Sequence, residues 1–251
     1  MNFGALIIGD EILSGKRQDK HLQHLIEALR TRGLELSWAE YLGDVPSRIL
    51  TTLQRTLAGD DVVFSFGGIG ATPDDHTRRI AAQAAGRQFG RHPEALALIE
   101  AQFGAEAWPN RVRMADLPVG CTLIPNPVNR IPGFSIAHHH FLPGFPSMAW
   151  PMVDWVLDTR YAGLQHQAPK IELRLYVPNA REGNLIQTME ALVDQYPGLR
   201  FSSLPSFGDG DKPPHIEFGL TGSETEARPA LEWLKQQLAT AGYSFEEQPP
   251  R

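Results

Sequence analysis

The sequence predicts an α/β fold with a mostly parallel sheet, followed by a smaller α+β unit. Three observations predict it. Over the first 65 residues, short apolar runs alternate with amphipathic segments of helix length; strands separated in this way are βαβ crossovers, which build parallel sheets. Glycine-containing breaks follow these runs. From about residue 168 the pattern changes to β-α-β-β-α-β, the split βαβ or ferredoxin-like order. The expected domains are 1–160 and 168–251, and the weakly periodic stretch 159–169 is expected to link them.

Phe3 to Ile8 is a continuous apolar run that stops at Gly9, as a strand buried on both faces does. Leu22, Leu25, Ile26 and Leu29 fall at i, i+3, i+4 and i+7, one face of a helix that Gly33 stops. Leu34 to Leu42 is a second strand, broken by Gly43-Asp44-Val45-Pro46. Ile49, Leu50, Leu53 and Leu57 line the next helix, and Asp61 to Phe66 is a third strand ended by Gly67-Gly68. Helices are expected at 76–85 and 93–103, with Pro93 in the first turn of the second. Pro118 to Pro143 is turn-rich, with a hairpin near Phe134–Leu142, and Pro146 to Leu157 closes the unit as a helix.

In the tail, Ile171, Leu173, Leu175 and Val177 alternate as in a half-buried strand. A helix over 181–195 and strands near 198–204 and 215–221 follow, the last two flanking a surface loop at Gly208–Pro214. Ser223 and Glu226 form a capping-box pair before a helix that carries Leu231, Leu234 and Leu238. Tyr243–Phe245 is the last expected strand.

Composition narrows the function classes. The 251 residues carry a net charge of −6, with 42% hydrophobic and 21% charged residues. That is a globular balance, without the basic stripe of a nucleic-acid binder. One cysteine, Cys121, excludes an internal disulfide and suits a reducing compartment. No apolar run is long enough to span a membrane, and Met1-Asn2-Phe3-Gly4 lacks a basic signal region, so the expected location is cytoplasmic.

Ligands of parallel sheets gather at the carboxyl ends of the strands. The loops Gly9–Gly15, Gly43–Pro46 and Gly67–Asp75 are therefore candidates for one shared site. The segment Phe66 to Thr77 follows a strand and opens a helix. Gly67, Gly68 and Gly70 permit positive φ and close approach to a ligand, and helix N-terminal amides favour an anion. A phosphate cradle completed by Thr72, Thr77 and Arg111 fits this segment; so does a plain glycine-rich turn capped by Asp74 or Asp75. The spacing is neither the dinucleotide fingerprint nor a Walker A loop.

Glu11 (with Asp10), Asp44, and Asp74 with Asp75 follow the three strands in turn. Carboxylates clustered beside a phosphate need a cation, and oxygen ligation suits Mg²⁺ or another divalent ion able to bridge a pyrophosphate and polarise it. Asp74 alone reads as a helix cap; Asp44 and Asp75 together read as a site. Leu142-Pro143-Gly144-Phe145-Pro146-Ser147 leads from strand to helix, and Pro143 and Gly144 mark either a second anion pocket or a rigid turn. His138-His139-His140 lies on a strand, where neighbours point to opposite faces and so make a poor metal set. Cys121 reads as a buried small hydrophobe, and Trp108, Trp150 and Trp155 as core or interface.

Together these residues resemble the molybdopterin-binding domain shared by the MoaB/Mog proteins and the N-terminal half of the competence/damage-inducible CinA proteins. The matching pieces are Gly9-Asp10-Glu11-Ile12-Leu13-Ser14-Gly15, Gly43-Asp44, Gly67-Gly68-Ile69-Gly70-Ala71-Thr72-Pro73-Asp74-Asp75-His76-Thr77, Pro109-Asn110-Arg111, Asn126-Pro127 with Pro132-Gly133-Phe134, and Leu142 to Pro146. They run in order over about 1–157. The tail resembles, more weakly, the small α+β domain that follows this module in CinA-like proteins.

The resemblance implies a three-layer α/β/α fold and a site for a pterin or nucleotide carrying a phosphate or pyrophosphate, molybdopterin among them. It adds Gly9, Asp10 and Asn110 to the ligand-binding set. In Mog-type proteins the aspartates matching Asp44 and Asp75 support adenylylation of molybdopterin with Mg²⁺. In CinA-like proteins the module is linked to metal-dependent hydrolysis of the ADP-ribose pyrophosphate bond. The expectation is pyrophosphate chemistry with Asp44, Asp75 and Glu11 as catalytic groups and Asp44 and Asp75 on the metal; the alternative is a non-catalytic molybdopterin- or nucleotide-binding module. A homodimer or homotrimer is implied.

Three departures stand out. The usual Thr of the CinA opening motif is Asp10, an acidic position is Arg79, and the Asn-Arg-Lys-Gln pattern becomes Asn110-Arg111-Val112-Arg113. The amidohydrolase domain that follows in CinA is not expected here, nor is deamidation of nicotinamide nucleotides.

Overall fold

A computed structural model describes residues 2–166, 170–208 and 213–249. The chain divides into two compact units, Met1–His166 and Gln167–Arg251.

In the first unit the apolar runs become the strands. The elements in chain order are β1 (Phe3–Ile8), α1 (Asp10–Leu13), α2 (His21–Arg30), β2 (Leu36–Leu42), α3 (Pro46–Leu57), β3 (Val62–Phe66), α4 (Thr77–Ala84), β4 (Phe89–Arg91), α5 (Pro93–Phe103), β5 (Asp116–Pro118), β6 (Thr122–Ile124), β7 (Gly133–Ile136), β8 (His139–Leu142) and α6 (Pro146–Arg160). Six strands form one sheet in the order β2-β1-β3-β8-β7-β6. β2, β1, β3 and β8 run parallel, while β7 and β6 add antiparallel pairs. β4 and β5 pair separately.

Strand periodicity divides β1 between two cores. Phe3, Ala5 and Ile7 pack with Leu25 and Leu29 of α2 and Met152, Val153 and Val156 of α6. Leu6 and Ile8 pack on the other face with Ile49 and Leu53 of α3, Ile80 of α4 and Ile99 of α5. The result is the three-layer α/β/α fold that the resemblance implies.

The second unit comprises β9 (Ile171–Pro178), α7 (Glu182–Gln195), β10 (Arg200–Ser206), β11 (His215–Gly222), α8 (Glu224–Thr240) and β12 (Glu246–Gln248). Its sheet order is β10-β11-β9-β12, with every pair antiparallel. This is the split βαβ order. Leu175, Val177, Ile216, Phe218 and Leu220 pack against Leu185 and Leu192 of α7 and Leu231, Leu234 and Leu238 of α8.

Several local expectations are corrected. Ile26 is exposed, and Leu25, Ala28, Leu29 and His21 make the inner face of α2. α6 runs on through Arg160, and a 3-10 turn spans Ala162–Leu164, so the stretch expected as linker starts as structure; residues 167–169 lie outside those described. The Ser223 hydroxyl bonds the Glu226 carboxylate instead of a backbone amide, so no capping box closes α8. The last strand starts at Glu246, because Tyr243 and Phe245 turn toward the core ahead of it. Residues 209–212 of the expected surface loop are not described. Among the described residues no helix is long and apolar enough to cross a membrane.

Candidate functional site

The site follows from the sheet order. β2, β1, β3 and β8 lie side by side and parallel, so the loops after them open on one edge. Backbone bonds stitch these loops together: Gly9 N–H donates to the Leu42 carbonyl and Gly67 N–H to the Leu142 carbonyl, both at 3.0 Å. Between the loops lies a cavity of about 390 Å³. Of the expected residues, Gly9, Glu11, Asp44, Gly67, Gly68, Gly70, Thr72, Asp74, Asp75, Pro143 and Gly144 line it.

The acidic wall is braced from within. Asp10 N–H donates to Asp44 Oδ2 at 2.9 Å, and Asp44 N–H donates to Asp10 Oδ1 at 3.1 Å. Each loop thus caps the other, and Asp44 serves the amide of Asp10, while α3 begins at Val45 without a side-chain cap. Burial pushes the Asp44 carboxyl above its ordinary range; the charges of Asp10, Glu11 and Asp74 add to this, and the bond from the Asp10 amide opposes it. Asp10 itself lies beside the cavity, in a shallow hollow that shares Glu11, Asp44 and Asp74 with it.

The glycine loop is folded tightly. Gly67 and Gly68 sit at φ 100° and 69°, where an L side chain is strained. A Cβ on Gly67 would run into the Ile8 carbonyl oxygen. Asp75 Oδ2 accepts from the Thr72 amide at 2.8 Å and the Thr72 hydroxyl at 2.5 Å. Neither Asp74 nor Asp75 caps α4, whose N-cap is His76 with no side-chain bond. The aspartate therefore holds the turn, not the helix. Among the described residues the amides of Gly68, Ile69, Gly70 and Ala71 find no acceptor, and all four residues line the cavity.

Other expected residues fall elsewhere. Thr77 is fully buried beneath Gly68: its amide donates to the Gly68 carbonyl at 3.0 Å and its hydroxyl has no partner. It supports the loop from below and does not line the cavity. Asn110 and Arg111 also lie outside the lining. Arg111 bonds the Glu106 carbonyl at 2.7 Å and carboxylate at 2.9 Å, with its guanidinium over Phe103. A partner five residues away along the chain captures it. Arg79 lies over Phe89 and adds no charge to the cavity wall. His139 and His140 are buried and bonded to Thr56, Ser135 and Tyr161. Cys121 is buried, which pushes its thiol up to about 11 and makes it a poor nucleophile. Trp108 is 54% exposed and is not core.

Of the second wall, the sequence marked Asn126, Pro132 and Phe145 only as parts of matching segments, and Met114, Asn129, Ile131 and Met148 were not expected. Met114, Asn126, Asn129, Ile131, Pro132, Phe145 and Met148 complete the lining, with Arg17 at the acidic side. Asn126 Oδ1 accepts from the Val128 amide and Asn129 Oδ1 from the Ile131 amide, each at 3.0 Å. These Asx turns are the signal that the Asn-Pro-Val-Asn-Arg-Ile-Pro stretch carries. Among the described residues no group of three or more His, Cys, Asp or Glu side chains is placed to hold a metal ion by itself.

Comparison with known proteins shows the family and the fold. Residues 4–162 match the family described as "Probable molybdopterin binding domain". A CinA-like protein of Citrifermentans bemidjiense is 37% identical over 258 aligned positions, covering 98% of this chain and 60% of that protein. A CinA-like protein of Syntrophotalea carbinolica is 34% identical over 185 positions, covering 70% and 45% respectively. This chain therefore spans only part of the length of these relatives. Among solved structures, a CinA protein of Thermoplasma acidophilum, described as of unknown function, superposes with a TM-score of 0.58 at 28% identity, covering 62% of this chain and 96% of that one.

Proposed function

Because the chain belongs to the molybdopterin-binding-domain family, we propose that its first unit binds a pterin or nucleotide carrying a phosphate or pyrophosphate, and with a divalent cation promotes attack on that pyrophosphate. One observation carries the reading: four consecutive amides, Gly68 to Ala71, stand unpaired in a cavity wall. Unpaired amides in a folded loop are uncommon, and an anion is the ligand that satisfies several at once.

The acidic wall then sets the partner of that anion. Asp44 is destabilised as a carboxylate by its burial and its neighbours, which suits a Mg²⁺-like ion. Among the described residues no three protein ligands stand ready, so the donor set fits an ion completed by phosphate oxygens and water. Such an ion would supply charge neutralisation and polarisation of the diphosphate. Asp44 and Asp75 would hold the ion, and Glu11, which lines the same wall, is placed to assist an attacking water. Asp75 spends one oxygen on Thr72 and keeps the other available. The wall of Met114, Ile131 and Met148 with Asn126 and Asn129 gives an apolar and amide surface suited to a flat heterocycle.

The same cavity also allows a second reading, in which the unit binds without turnover. Calorimetry and product analysis with ADP-ribose and FAD, with and without Mg²⁺ or Mn²⁺, separate the two. The expected result is cation-dependent binding with release of nucleoside monophosphate; binding without product supports the second reading, and no binding ends both. Asp44→Asn is expected to weaken cation-dependent binding by at least about tenfold, the scale of one lost charged interaction, while Tm holds or rises. An assembly of two or three copies is proposed on family resemblance, and mass in solution checks it.

A further inference from the structure

Arg78 is a buried basic side chain that neither the resemblance nor the cavity lining uses. Only 7% exposed, its guanidinium meets no carboxylate of the described residues within ion-pair distance and instead donates to three backbone carbonyls. Nη2 bonds the Gly70 oxygen at 2.6 Å, and Nη1 bonds the Arg113 and Asp116 oxygens at 2.5 and 2.8 Å. Nε is buried without a partner, so every hydrogen bond this guanidinium makes goes to a main-chain acceptor, and such a group fixes backbone.

What it fixes is one peptide plane. In a trans peptide the C=O and the following N–H point in opposite directions. The Gly70 carbonyl is tied to Arg78, behind the loop, because Arg78 is outside the cavity lining while Gly70 and Ala71 are in it. The Ala71 N–H is thereby turned away from Arg78. Glycine crosses freely between regions of φ and ψ, so an untied Gly70–Ala71 plane can flip and present its carbonyl in place of its N–H. A carbonyl there would repel the anion that the amide attracts. Asp75 packs on the same glycine: a Cβ at Gly70 would lie 2.5 Å from Asp75 Oδ2. Loop, aspartate and arginine are one unit.

We propose that Arg78 is a positioning residue that locks the Gly70–Ala71 peptide in its anion-binding orientation, and that through it the segment Arg113–Asp116 sets the competence of the cradle. This rests on the anion-binding reading of the cavity for its effect on affinity, but not for its effect on the loop.

The test uses the full chain and Arg78→Lys, which keeps the charge but cannot span three carbonyls. Arg78→Met, which keeps the buried stem, stands in should the lysine variant fail to fold. Two quantities are read: hydrogen exchange of the peptide covering 68–72 without ligand, and affinity for inorganic pyrophosphate with Mg²⁺. The expected result is exchange faster by about tenfold or more in that peptide alone, and pyrophosphate affinity lower by at least about tenfold. Unchanged exchange overturns the proposal, as does an unchanged affinity. If the unaltered protein binds no pyrophosphate, the reading of the cavity fails, and exchange alone then decides for or against Arg78. A merely structural role would show as faster exchange across the whole unit and a lowered Tm, which also overturns it.

Discussion

β8 carries polar groups of opposite character at its two ends. At its amino end, His140 bonds Ser135 and Tyr161 at 2.8 Å each, and His139 bonds Thr56 at 2.9 Å. At its carboxyl end, Leu142 leads into the cavity, where like charges crowd and four amides wait unpaired. The first cluster is closed on itself, as buried polar groups in a framework must be. The second is left incomplete, which folding alone does not favour. The difference teaches that a run of unpaired backbone amides facing an open cavity marks a place for a ligand, whereas a single unpartnered side chain such as Thr77, buried beneath the loop, does not.

The comparison can be broken at either end. The largest effect is expected at the closed end: His140→Ala removes a fully buried ring and strands two hydroxyls, costing about 3 kcal/mol or more in denaturant melts. Pyrophosphate affinity of the folded fraction should not change; a loss there would join the two ends into one functional network.

Acid is the next probe. Burial lowers the His139 pKa from 6.5 to about 4 and holds that of His140 well below 6.5. The unfolded chain takes up protons below about pH 6.5 and the folded chain does not, so stability is full above that pH and falls toward pH 4. For His139 alone the loss is on the order of 3 kcal/mol. Asp44 has the opposite sign: its raised pKa makes its charge a cost near neutrality that acid relieves. Melting curves from pH 7.5 to 4.5 should fall steadily; a rise would mean that the open end dominates.

The smallest effect sharpens the boundary of the site. Arg111→Ala removes an exposed pair with Glu106, a bond to the Glu106 carbonyl and the contact over Phe103, all away from the cavity. Stability should change by less than about 1 kcal/mol, with pyrophosphate affinity unaltered. A tenfold loss would return Arg111 to the site from which the structure excludes it.

Much of this was legible in the sequence. Apolar runs ending at Gly9, Gly43 and Gly67 locate three strand ends, and parallel pairing alone brings Glu11, Asp44 and Asp75 to one edge. What pattern could not supply was side-chain choice. Ile26 sits at a helix-face position yet faces solvent, because His21 fills the inner face by stacking on Phe66. Arg111 is captured by a carboxylate close by in the chain, a local competition that motif matching ignores. The asparagine wall lies in irregular backbone, where neither period 2 nor period 3.6 applies. Thr77 has the right residue type and the right neighbours, but helix geometry turns it under the loop.

The walls of the hollow come from separate segments: loops at the strand ends supply the acidic and glycine-rich sides, and the irregular stretch 126–132 supplies the other. Recognition can therefore be rewritten one wall at a time. A scaffold of this kind suits evolution, and equally an engineer who wants a new specificity without repacking the core.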